Sequence, residues 1–458
     1  MLPSISRPLR VAIIGAGPAG FYTAEVLFQS GVSLEVHMFE KLPAPFGLVR
    51  YGVAPDHQKI KNVIKVFEKT ASDKRFFYFG NVTIGRDLSV QELKKFYDAA
   101  IFCYGAEADR QLGIKGEGLK GCYKASQFIG WYNGHPQFAD EEFDFSHETA
   151  VVMGQGNVAI DIARILCSTK EELAKTDICQ HALDMLAESK VKEVHIYGRR
   201  SVAHVAFTPV EIREMGNLQD CCPVVDPADL VLAPDSIKDL EELANAFRKK
   251  DIEILRSFTA MSQGGRKRKF FLHFNRSPVE IIGVSRVQKA RFEINEQGKP
   301  SGKYEEIECG SFFTCIGYVG EPIEGLPFLP QKGIVPNLKG RILEGEVPVK
   351  GSYVCGWIAQ GASGVIGTNK LRAQETIHSL MEDLALLPGC ETPDTKEMLD
   401  LFKSRGVFAV TFIDWKKIDA YEVMMGSNLG KPREKLIRVG QMISVADGSY
   451  KQKGTLSS

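Results

Sequence analysis

Two stretches of the chain are apolar almost without interruption and end in glycines. They are LRVAIIGAG at 9–17 and TAVVMGQG at 149–156. A continuous apolar run of this length is typical of a strand that is buried on both faces of a parallel sheet. We therefore predict that each stretch forms a central strand of a parallel sheet.

Each of these strands begins a unit of strand, helix and strand. In the first unit, a helix is predicted over PAGFYTAEVLFQSG (18–31) and a second strand over LEVHMFE (34–40). In the second unit, the helix is NVAIDIARILC (157–167), a charged helical insertion follows at 170–190, and the next strand is KEVHIYGRR (192–200). Such a unit is the usual frame of a nucleotide site, so the chain encodes two of them.

Two further apolar strands that end in glycine turns, at 97–110 and 309–320, bracket the second unit. A chain of 458 residues exceeds the size of one hydrophobic core, so two domains are expected. We predict that the chain leaves a first domain at one bracketing strand and returns to it at the other. The predicted ranges are 1–104 and 321–458 for the first domain and 105–320 for the inserted domain. Within the insert, residues 261–294 have the pattern of antiparallel hairpins.

The loop after the first strand has the spacing Gly15-x-Gly17-x-x-Gly20. Glycines at these positions allow a tight turn and let backbone N–H groups approach a pyrophosphate. An acid, Glu40, ends the next strand, where it can accept hydrogen bonds from a ribose. The combination predicts an adenine dinucleotide at this loop and does not choose between FAD and NAD. A glycine turn without a ligand is the alternative.

The loop after the second strand is Gly154-x-Gly156-x-x-Ala159, and the strand that follows ends in Arg199 and Arg200 instead of an acid. A 2′-phosphate carries close to two negative charges, which guanidinium groups can bind with paired, charge-assisted hydrogen bonds. The arginine pair therefore predicts NADPH in preference to NADH. A solvated strand end is the alternative.

Two dinucleotide sites in one chain fit an enzyme that holds one dinucleotide and exchanges the other. We predict a bound FAD on the first loop and NADPH on the second, with hydride passing from NADPH to the flavin. Two dehydrogenase units in tandem are the competing interpretation, and the split first domain favours the flavoprotein.

The composition excludes several other classes of protein. The 57 basic and 57 acidic side chains cancel, so no overall charge attracts nucleic acid or an anionic membrane. No apolar run reaches the roughly 18 residues that span a bilayer. The segment MLPSISRP ahead of the first strand is too short for a signal or transit peptide, so we expect a cytoplasmic, bacterial protein. The ten cysteines form no C-x-x-C pair, which predicts no metal site and no redox-active dithiol.

Longer words of the sequence resemble the adrenodoxin reductase type of ferredoxin-NADP reductase. The words are PFGLVRYGVAPDHQKIKNV (45–63), FIGWYNG (128–134), GQGNVAIDIARIL (154–166), GRRSVAHVAFTPVEIREM (198–215), DPADL (226–230), GVIGTNK (364–370) and GKPREKL (430–436). The similarity runs in order from residue 9 to about residue 440. Words of this length are far more specific than glycine spacings.

The resemblance implies a glutathione-reductase-like α/β flavoprotein with two Rossmann-like dinucleotide-binding domains, the NADP domain being inserted in the FAD domain. It implies that electrons pass from NADPH to FAD by hydride and then singly to a small acidic 2Fe–2S ferredoxin or a similar acceptor. The FAD contacts that it implies, together with the glycine loop, are Gly15, Gly17, Ala19, Gly20, Glu40, Leu48, Ile84, Trp357, Gly364, Val365 and Ile366. The NADP contacts that it implies are Gln155, Gly156, Asn157, Val158, Arg199, Arg200, Glu211 and Gly364.

The resemblance also implies that His57 and Glu211 lie near the nicotinamide, where they orient it or move protons. A structural hydrogen bond is the alternative for His57, and positioning of NADP is preferred to acid–base work for Glu211. Arg213 is implied as a docking residue for ferredoxin. The basic run GGRKRKF (264–270) is a second docking candidate, although we favour a solvated hairpin there. We expect a monomer.

The sequence departs from the family pattern at two places. Ala359-Gln360-Gly361-Ala362 stands where the family has Lys-Arg-Gly-Pro, and Arg372 stands where the family has an acid. These departures bear on rate, flavin potential and partner rather than on fold. Two other functions remain open: a non-catalytic NADP-sensing protein, which a colourless preparation would favour, and a flavin monooxygenase, which would consume oxygen with its substrate.

Overall fold

The computed structural model describes residues 7–232, 237, 240 and 246–450. The described residues form two compact α/β units, which confirms the predicted fold class. The first unit contains the residues up to 53, residues 57–108 and the residues from 318 onward, and the second contains residues 54–56 and 109–317. The outer ends of the predicted first domain, 1–6 and 451–458, lie outside the described residues. Which unit holds FAD and which holds NADP stays a prediction.

Strands and helices follow one another in short succession along the described residues. The strands are β1 (Leu9–Ile14), β2 (Leu34–Glu40), β3 (Phe76–Gly80), β4 (Ala99–Phe102), β5 (Ala108–Asp109), β6 (Cys122–Lys124), β7 (Thr149–Met153), β8 (Glu193–Tyr197), β9 (Cys221–Val225), β10 (Arg268–His273), β11 (Arg276–Ile282), β12 (Lys289–Glu296), β13 (Lys299–Glu308), β14 (Ser311–Thr314), β15 (Tyr318–Val319), β16 (Asn337–Leu338), β17 (Arg341–Glu344) and β18 (Val347–Val354). The helices are α1 (Pro18–Gln29), α2 (Leu48–Tyr51), α3 (Gln58–Lys61), α4 (Ile64–Ala71), α5 (Val90–Phe96), α6 (Ala125–Tyr132), α7 (Asn157–Cys167), α8 (Lys170–Leu173), α9 (Gln180–Ala187), α10 (Pro209–Met215), α11 (Ala246–Thr259), α12 (Trp357–Gln360), α13 (Thr368–Glu382), α14 (Thr395–Ser404), α15 (Phe412–Asn428) and α16 (Val439–Asp447). None of the described helices is both long enough and apolar enough to cross a lipid bilayer.

The described part of the first unit is built on a seven-stranded sheet in the order β16-β17-β18-β4-β1-β2-β3. The strands from β18 to β3 pair in parallel, and β16 and β17 pair antiparallel at one edge. All six residues of β1 are buried, as predicted for a strand with neighbours on both sides and layers on both faces. Because parallel strands end at the same edge, the loop after β1 lies beside the ends of β2 and β4.

The second unit repeats this plan with a six-stranded parallel sheet in the order β6-β14-β7-β8-β10-β9 among its described residues. A separate three-stranded antiparallel sheet, β11-β12-β13, follows β10, and we call it the small sheet.

The prediction for residues 261–294 is right for β11 and β12 and wrong for β10. β10 lies between β8 and β9 and is parallel to both, so it is no part of a hairpin. The strand pattern alone does not identify the partner of a strand. The helix α11 separates β9 from β10 and supplies the crossover that parallel neighbours need.

A buried ion pair joins α2 to α15 in the first unit. Arg50 donates to both carboxylate oxygens of Glu422, at 2.9 and 2.5 Å. The same carboxylate accepts from Arg433 at 3.0 Å and from the N–H of Leu436 at 2.9 Å. Glu422 is fully buried and Arg50 is only 4% exposed. The pair therefore fixes α2, which begins with Leu48, against the C-terminal helices.

We expect Glu422→Ala to lower the free energy of unfolding by about 3–5 kcal/mol, since the buried guanidinium group of Arg50 loses its carboxylate partner inside the unit. Urea unfolding of the purified protein measures this change. Lys303→Ala, which breaks the exposed ion pair between Lys303 and Glu296, is the control and should leave the midpoint unchanged. An unfolding midpoint for Glu422→Ala that equals the wild-type value would contradict the expectation.

Candidate functional site

Backbone contacts at the carboxyl edge of the first sheet hold the first glycine loop. The N–H of Gly15 donates to the carbonyl of Phe39 at 2.8 Å. Gly15 has a φ of +107°, and a Cβ on it would lie 2.6 Å from the carbonyl oxygen of Cys103. A Cβ on Gly20 would overlap the carbonyl oxygen of Gly15. Only glycine fits at these two positions, because backbone packs directly on backbone there.

The helix α1 begins at the end of this loop with Gly17 as its N-cap. No described side chain caps this end. The first N–H groups of a helix have no acceptor within the helix, so they are available to a ligand. Together with the helix dipole, they make a site suited to an anion such as a pyrophosphate.

Glu40 lies beside the loop at the end of β2. Its carboxylate accepts hydrogen bonds from the N–H of Ala16 at 2.9 Å and from the N–H of Leu42 at 3.2 Å. Burial raises the pKa of Glu40, and the hydrogen bond from Ala16 opposes that shift. Hydroxyl groups of a ribose that donate to this carboxylate would further stabilise its charged form.

The segment Phe46 to Leu48 packs against the same loop. The N–H of Phe46 donates to the carbonyl of Ala16 at 2.7 Å. A Cβ on Gly47 would lie 3.0 Å from the Cα of Gly17. Leu48, the first residue of α2, is therefore next to the glycine loop and is 37% exposed.

The start of α12 packs against the start of α1. A Cβ on Gly356, which has a φ of +84°, would lie 2.6 Å from the Cβ of Ala19. Trp357 follows directly, and its Nε1 donates to the carbonyl of Ser363 at 3.0 Å. This bond ties Trp357 to the exposed loop that contains residues 364–366. Ile84 is buried in a core cluster that also contains residues of β1 and β2.

The two departures from the family pattern lie on either side of the loop that contains residues 364–366, in and just after α12 and in α13. Arg372 donates to Oγ of Ser363 at 3.2 Å. Ala359 is buried, and its carbonyl accepts from the side chain of Asn337 at 2.9 Å. Gln360 is exposed. The changed residues therefore flank the predicted flavin contacts of the first unit.

The second glycine loop has the same construction as the first. The N–H of Gly154 donates to the carbonyl of Tyr197 at 2.9 Å. Gly154 has a φ of +140°, and a Cβ on it would overlap the carbonyl oxygen of Cys315. Gly156 is the N-cap of α7, no described side chain caps that end, and a Cβ on Gly156 would meet nothing within 4 Å. The loop thus offers a second uncapped helix N-terminus to an anion.

Gln155 and Asn157 connect this loop to neighbouring segments. Gln155 donates through Nε2 to the carbonyl of His273 at 3.1 Å, and its own carbonyl accepts from the N–H of Ala206 at 2.8 Å. Asn157 accepts through Oδ1 from the N–H of Thr208 at 2.8 Å. Val158, the next residue of α7, is partly buried.

Arg199 and Arg200 follow β8, and both are exposed. A third arginine, Arg248 of α11, lies close enough to affect Arg200. Partial burial lowers the pKa of Arg200, and the positive charges of Arg199 and Arg248 lower it further. The sequence did not predict Arg248, since no motif marks it. The three arginines form a cluster of positive charge suited to a phosphate.

Glu211 is buried in the first turn of α10. Arg164, which is 2% exposed, donates to Glu211 at 3.2 Å, to Asp161 at 2.7 Å and to Asp56 at 2.5 Å. Burial alone would lower the pKa of Arg164, but the surrounding carboxylates, Asp161 foremost, raise it. The ion pair holds the Glu211 side chain in one place, which suits a residue that orients a ligand.

The remaining predicted residues occupy different elements. His57 precedes α3 in the first unit, is partly buried, and its carbonyl accepts from the N–H of Ile60 at 3.1 Å. Arg213 is exposed on α10.

In the basic run 264–270, Arg268 belongs to β10 and donates to the carbonyl of Ser168 at 3.0 Å. The solvated-hairpin interpretation of that run is therefore wrong, because the run leads into a strand of the main sheet.

Comparisons with known proteins find relatives along nearly the whole chain. A family model described as pyridine nucleotide-disulphide oxidoreductase matches residues 9–207. NADPH:adrenodoxin oxidoreductase of Bos taurus, a mitochondrial protein by name, is 42% identical over 457 residues, which cover 95% of this chain and 91% of that protein. NADPH-ferredoxin reductase FprA of Mycobacterium tuberculosis is 40% identical over 463 residues, which cover 96% and 100%. The solved structure of Mycobacterium tuberculosis FprA in complex with NADPH superposes with a TM-score of 0.91 at 39% identity, over 96% of this chain and 100% of that one.

Alanine at Gly17 and alanine at Gly20 should act in different ways. Gly20→Ala should lower the free energy of unfolding by about 1–3 kcal/mol, because its Cβ overlaps a backbone oxygen. Gly17→Ala should leave unfolding unchanged, because its Cβ would meet nothing nearer than the Cα of Gly47 at 4.0 Å. Gly17→Ala should nevertheless reduce retained flavin, because that Cβ would stand where a pyrophosphate approaches.

Urea unfolding of the apoprotein and the ratio of flavin to protein after purification measure the two effects. Gly118→Ala, where a Cβ would meet nothing within 4 Å, is the control for both. Full flavin occupancy in Gly17→Ala would show that no pyrophosphate lies against that residue.

Proposed function

Because the chain belongs to the family of NADPH:adrenodoxin oxidoreductases and NADPH-ferredoxin reductases, we propose that it oxidises NADPH and passes the electrons through a bound FAD to an iron-sulfur ferredoxin. One observation carries the proposal. Two helix N-termini that no described side chain caps follow two backbone-packed glycine loops, and the next strand ends in an acid in one unit and is followed by two arginines in the other. An acid suits a ribose hydroxyl, and the arginines suit a 2′-phosphate.

The first unit supplies the residues proposed to hold FAD. The N–H groups of Ala19 and Gly20 would receive the pyrophosphate, and Glu40 would accept hydrogen bonds from a ribose. Trp357 and the loop 364–366 would lie against the remaining part of the cofactor. When bound, FAD supplies the chemistry, since a flavin can accept a hydride and give up its electrons one at a time.

The second unit supplies the residues proposed to hold NADPH. The N-terminus of α7, with Gly156, Asn157 and Val158, would receive the pyrophosphate. The guanidinium groups of Arg199 and Arg200 would bind the 2′-phosphate. Gln155 keeps the loop in place through its bond to the carbonyl of His273. Gly364, which the sequence resemblance also implies as an NADP contact, belongs to the first unit, and that contact stays a prediction.

Glu211 and His57 are proposed to serve the nicotinamide end of NADPH. The ion pair with Arg164 keeps the Glu211 carboxylate in a fixed position, which supports a role in orienting the nicotinamide. His57 is proposed to orient the ring or move protons. Positioning of this kind can supply roughly 7–11 kcal/mol of a reaction barrier.

The acceptor is proposed to be a small acidic 2Fe–2S ferredoxin that docks near Arg213. The exposure of Arg213 on α10 supports this role. We also propose a monomer that works in the bacterial cytoplasm. The bacterial origin of FprA supports that compartment, whereas several eukaryotic relatives are mitochondrial by name.

Anaerobic titration of the purified yellow protein tests the proposed reaction. Flavin absorbance should bleach at much lower NADPH than NADH concentrations, and reduction of cytochrome c should rise with added ferredoxin. A preparation without flavin would favour an NADP-sensing protein instead. Substrate-dependent uptake of oxygen, with no response to ferredoxin, would favour a monooxygenase.

Replacing both Arg199 and Arg200 by alanine should weaken NADPH selectively. Two charge-assisted contacts of roughly 1.5–3 kcal/mol each correspond to about a hundredfold to ten-thousandfold preference for NADPH. The ratio of kcat/KM for NADPH to that for NADH measures the loss. Lys299→Ala with Lys303→Ala removes the same charge from the small sheet and should leave the ratio unchanged. Equal losses for both nucleotides would reject the 2′-phosphate role.

A further inference from the structure

Three consecutive carbonyl groups after β8 accept hydrogen bonds from the small sheet and from the turn that precedes it. The carbonyl of Gly198 accepts from the N–H of Arg276 at 2.9 Å. The carbonyl of Arg199 accepts from the side-chain amide of Asn295 at 2.7 Å. The carbonyl of Arg200 accepts from the N–H of Asn275 at 3.0 Å. The backbone that carries both arginines is therefore fixed in space by hydrogen bonds.

Of these three donors, Asn295 is the one that donates through its side chain, and the other two are backbone N–H groups. It is 9% exposed, and its Nδ2 also donates to Oγ of Ser277 at 2.8 Å. Its backbone N–H donates to the carbonyl of Asn275 at 2.7 Å. The pairing of β12 with β13 shifts register between Glu293 and Asn295. Irregularities of this kind re-aim a side chain, and here the amide reaches the turn after β8.

The small sheet is itself anchored to β8 and β10 by stacked rings. Phe292 of β12 stacks on Tyr197, the last residue of β8, with ring centroids 3.8 Å apart and planes 5° apart. Tyr197 stacks in turn on His273, with centroids 4.4 Å apart. Asn295 thus extends from a strand that is already packed against the end of β8. The hydrogen bond from its amide to the carbonyl of Arg199 therefore joins two segments that are each held by other contacts.

Repulsion between positive charges near this turn explains why its backbone is held by hydrogen bonds. Arg199 and Arg248 both lie near Arg200, and after partial burial their positive charges contribute to the lowered pKa of Arg200. Without a phosphate between them, a flexible turn would let the guanidinium groups move apart. A turn held at successive carbonyls fixes the backbone from which Arg199 and Arg200 extend before the ligand arrives, which reduces the ordering cost of binding.

We propose that Asn295 is a positioning residue for the 2′-phosphate of NADPH, acting through the carbonyl of Arg199. The small sheet then contributes to nucleotide selectivity, although its strands lie far along the chain from both glycine loops. The inference rests on the proposed binding of NADPH at Arg199 and Arg200.

The test compares two probes that differ by one phosphate, adenosine 2′,5′-bisphosphate and 5′-AMP, by calorimetry with the holoprotein. Asn295→Ala should weaken the bisphosphate about threefold to tenfold and 5′-AMP less than about twofold, as expected for loss of one hydrogen bond. Asn295→Leu keeps the number and branching of the side-chain heavy atoms and should give the same result if the alanine variant folds poorly. The ratio of kcat/KM for NADPH to that for NADH should fall by the same factor.

Ser301→Ala is the matched control. It removes a hydroxyl that donates to the carbonyl of Ile294 at 2.6 Å, beside Asn295 in the small sheet, and touches neither arginine. It should leave the affinities for both probes unchanged. If Ser301→Ala reproduces the effect, general loosening of the small sheet accounts for it and the proposal is overturned.

A double-mutant cycle separates this inference from the proposed function. If Asn295 acts through Arg199, then Asn295→Ala should not change the NADPH to NADH ratio once Arg199 and Arg200 are both alanine. Equal weakening of both probes by Asn295→Ala and Asn295→Leu, or no weakening, overturns the positioning role alone. An arginine double variant that loses no preference for the bisphosphate rejects the NADPH site itself.

Discussion

Both units depend on one close approach of backbone to backbone. Gly15 and Gly154 each donate an N–H to the carbonyl at or next to the end of a neighbouring strand, and each faces the carbonyl of a residue that follows another strand, Cys103 or Cys315. A side chain at either glycine would push these strands apart. Three strand ends thus fix each turn, and the turn directs the N-terminus of the next helix. The ligand that each site suits then depends on the charged residues at or just after the end of the next strand, which are Glu40 after the first loop and Arg199 and Arg200 after the second.

The sequence predicts features that are local and misses those that join distant segments. Each glycine loop lies in the same strand-helix-strand unit as its charged residues, which are Glu40 in the first unit and the arginine pair in the second. Spacing along the sequence alone therefore reveals them. β10 could not be assigned, because a short strand has much the same pattern in a hairpin as beside parallel neighbours. Arg248, Asn275 and Asn295 come from other elements, and only the folded chain brings them to the turn after β8. A polar residue that belongs to no recognisable motif gives no indication in the sequence of which distant segment it will contact.

The arginines of the second unit show how surroundings separate a structural from a binding role. Arg164 is buried and is surrounded by carboxylates that raise its pKa. Arg200 is exposed, and its described neighbours of like charge help to lower its pKa. The first is already neutralised by the protein, whereas the second gains most from an anion supplied by a ligand. The same residue type therefore serves cohesion in one place and recognition in another.

The sheet of the first unit is made from both ends of the chain, since β4 lies between β1 and β18. During synthesis, β4 leaves the ribosome long before β18, and at ordinary rates of translation the interval is some tens of seconds. One edge of β4 has no strand partner in that time, and an open edge is prone to pair with other chains. The second unit, nearly all of which lies in residues 109–317, can fold before β18 is made. The nascent protein therefore passes through a period in which its unfinished first sheet exposes an unpaired strand edge.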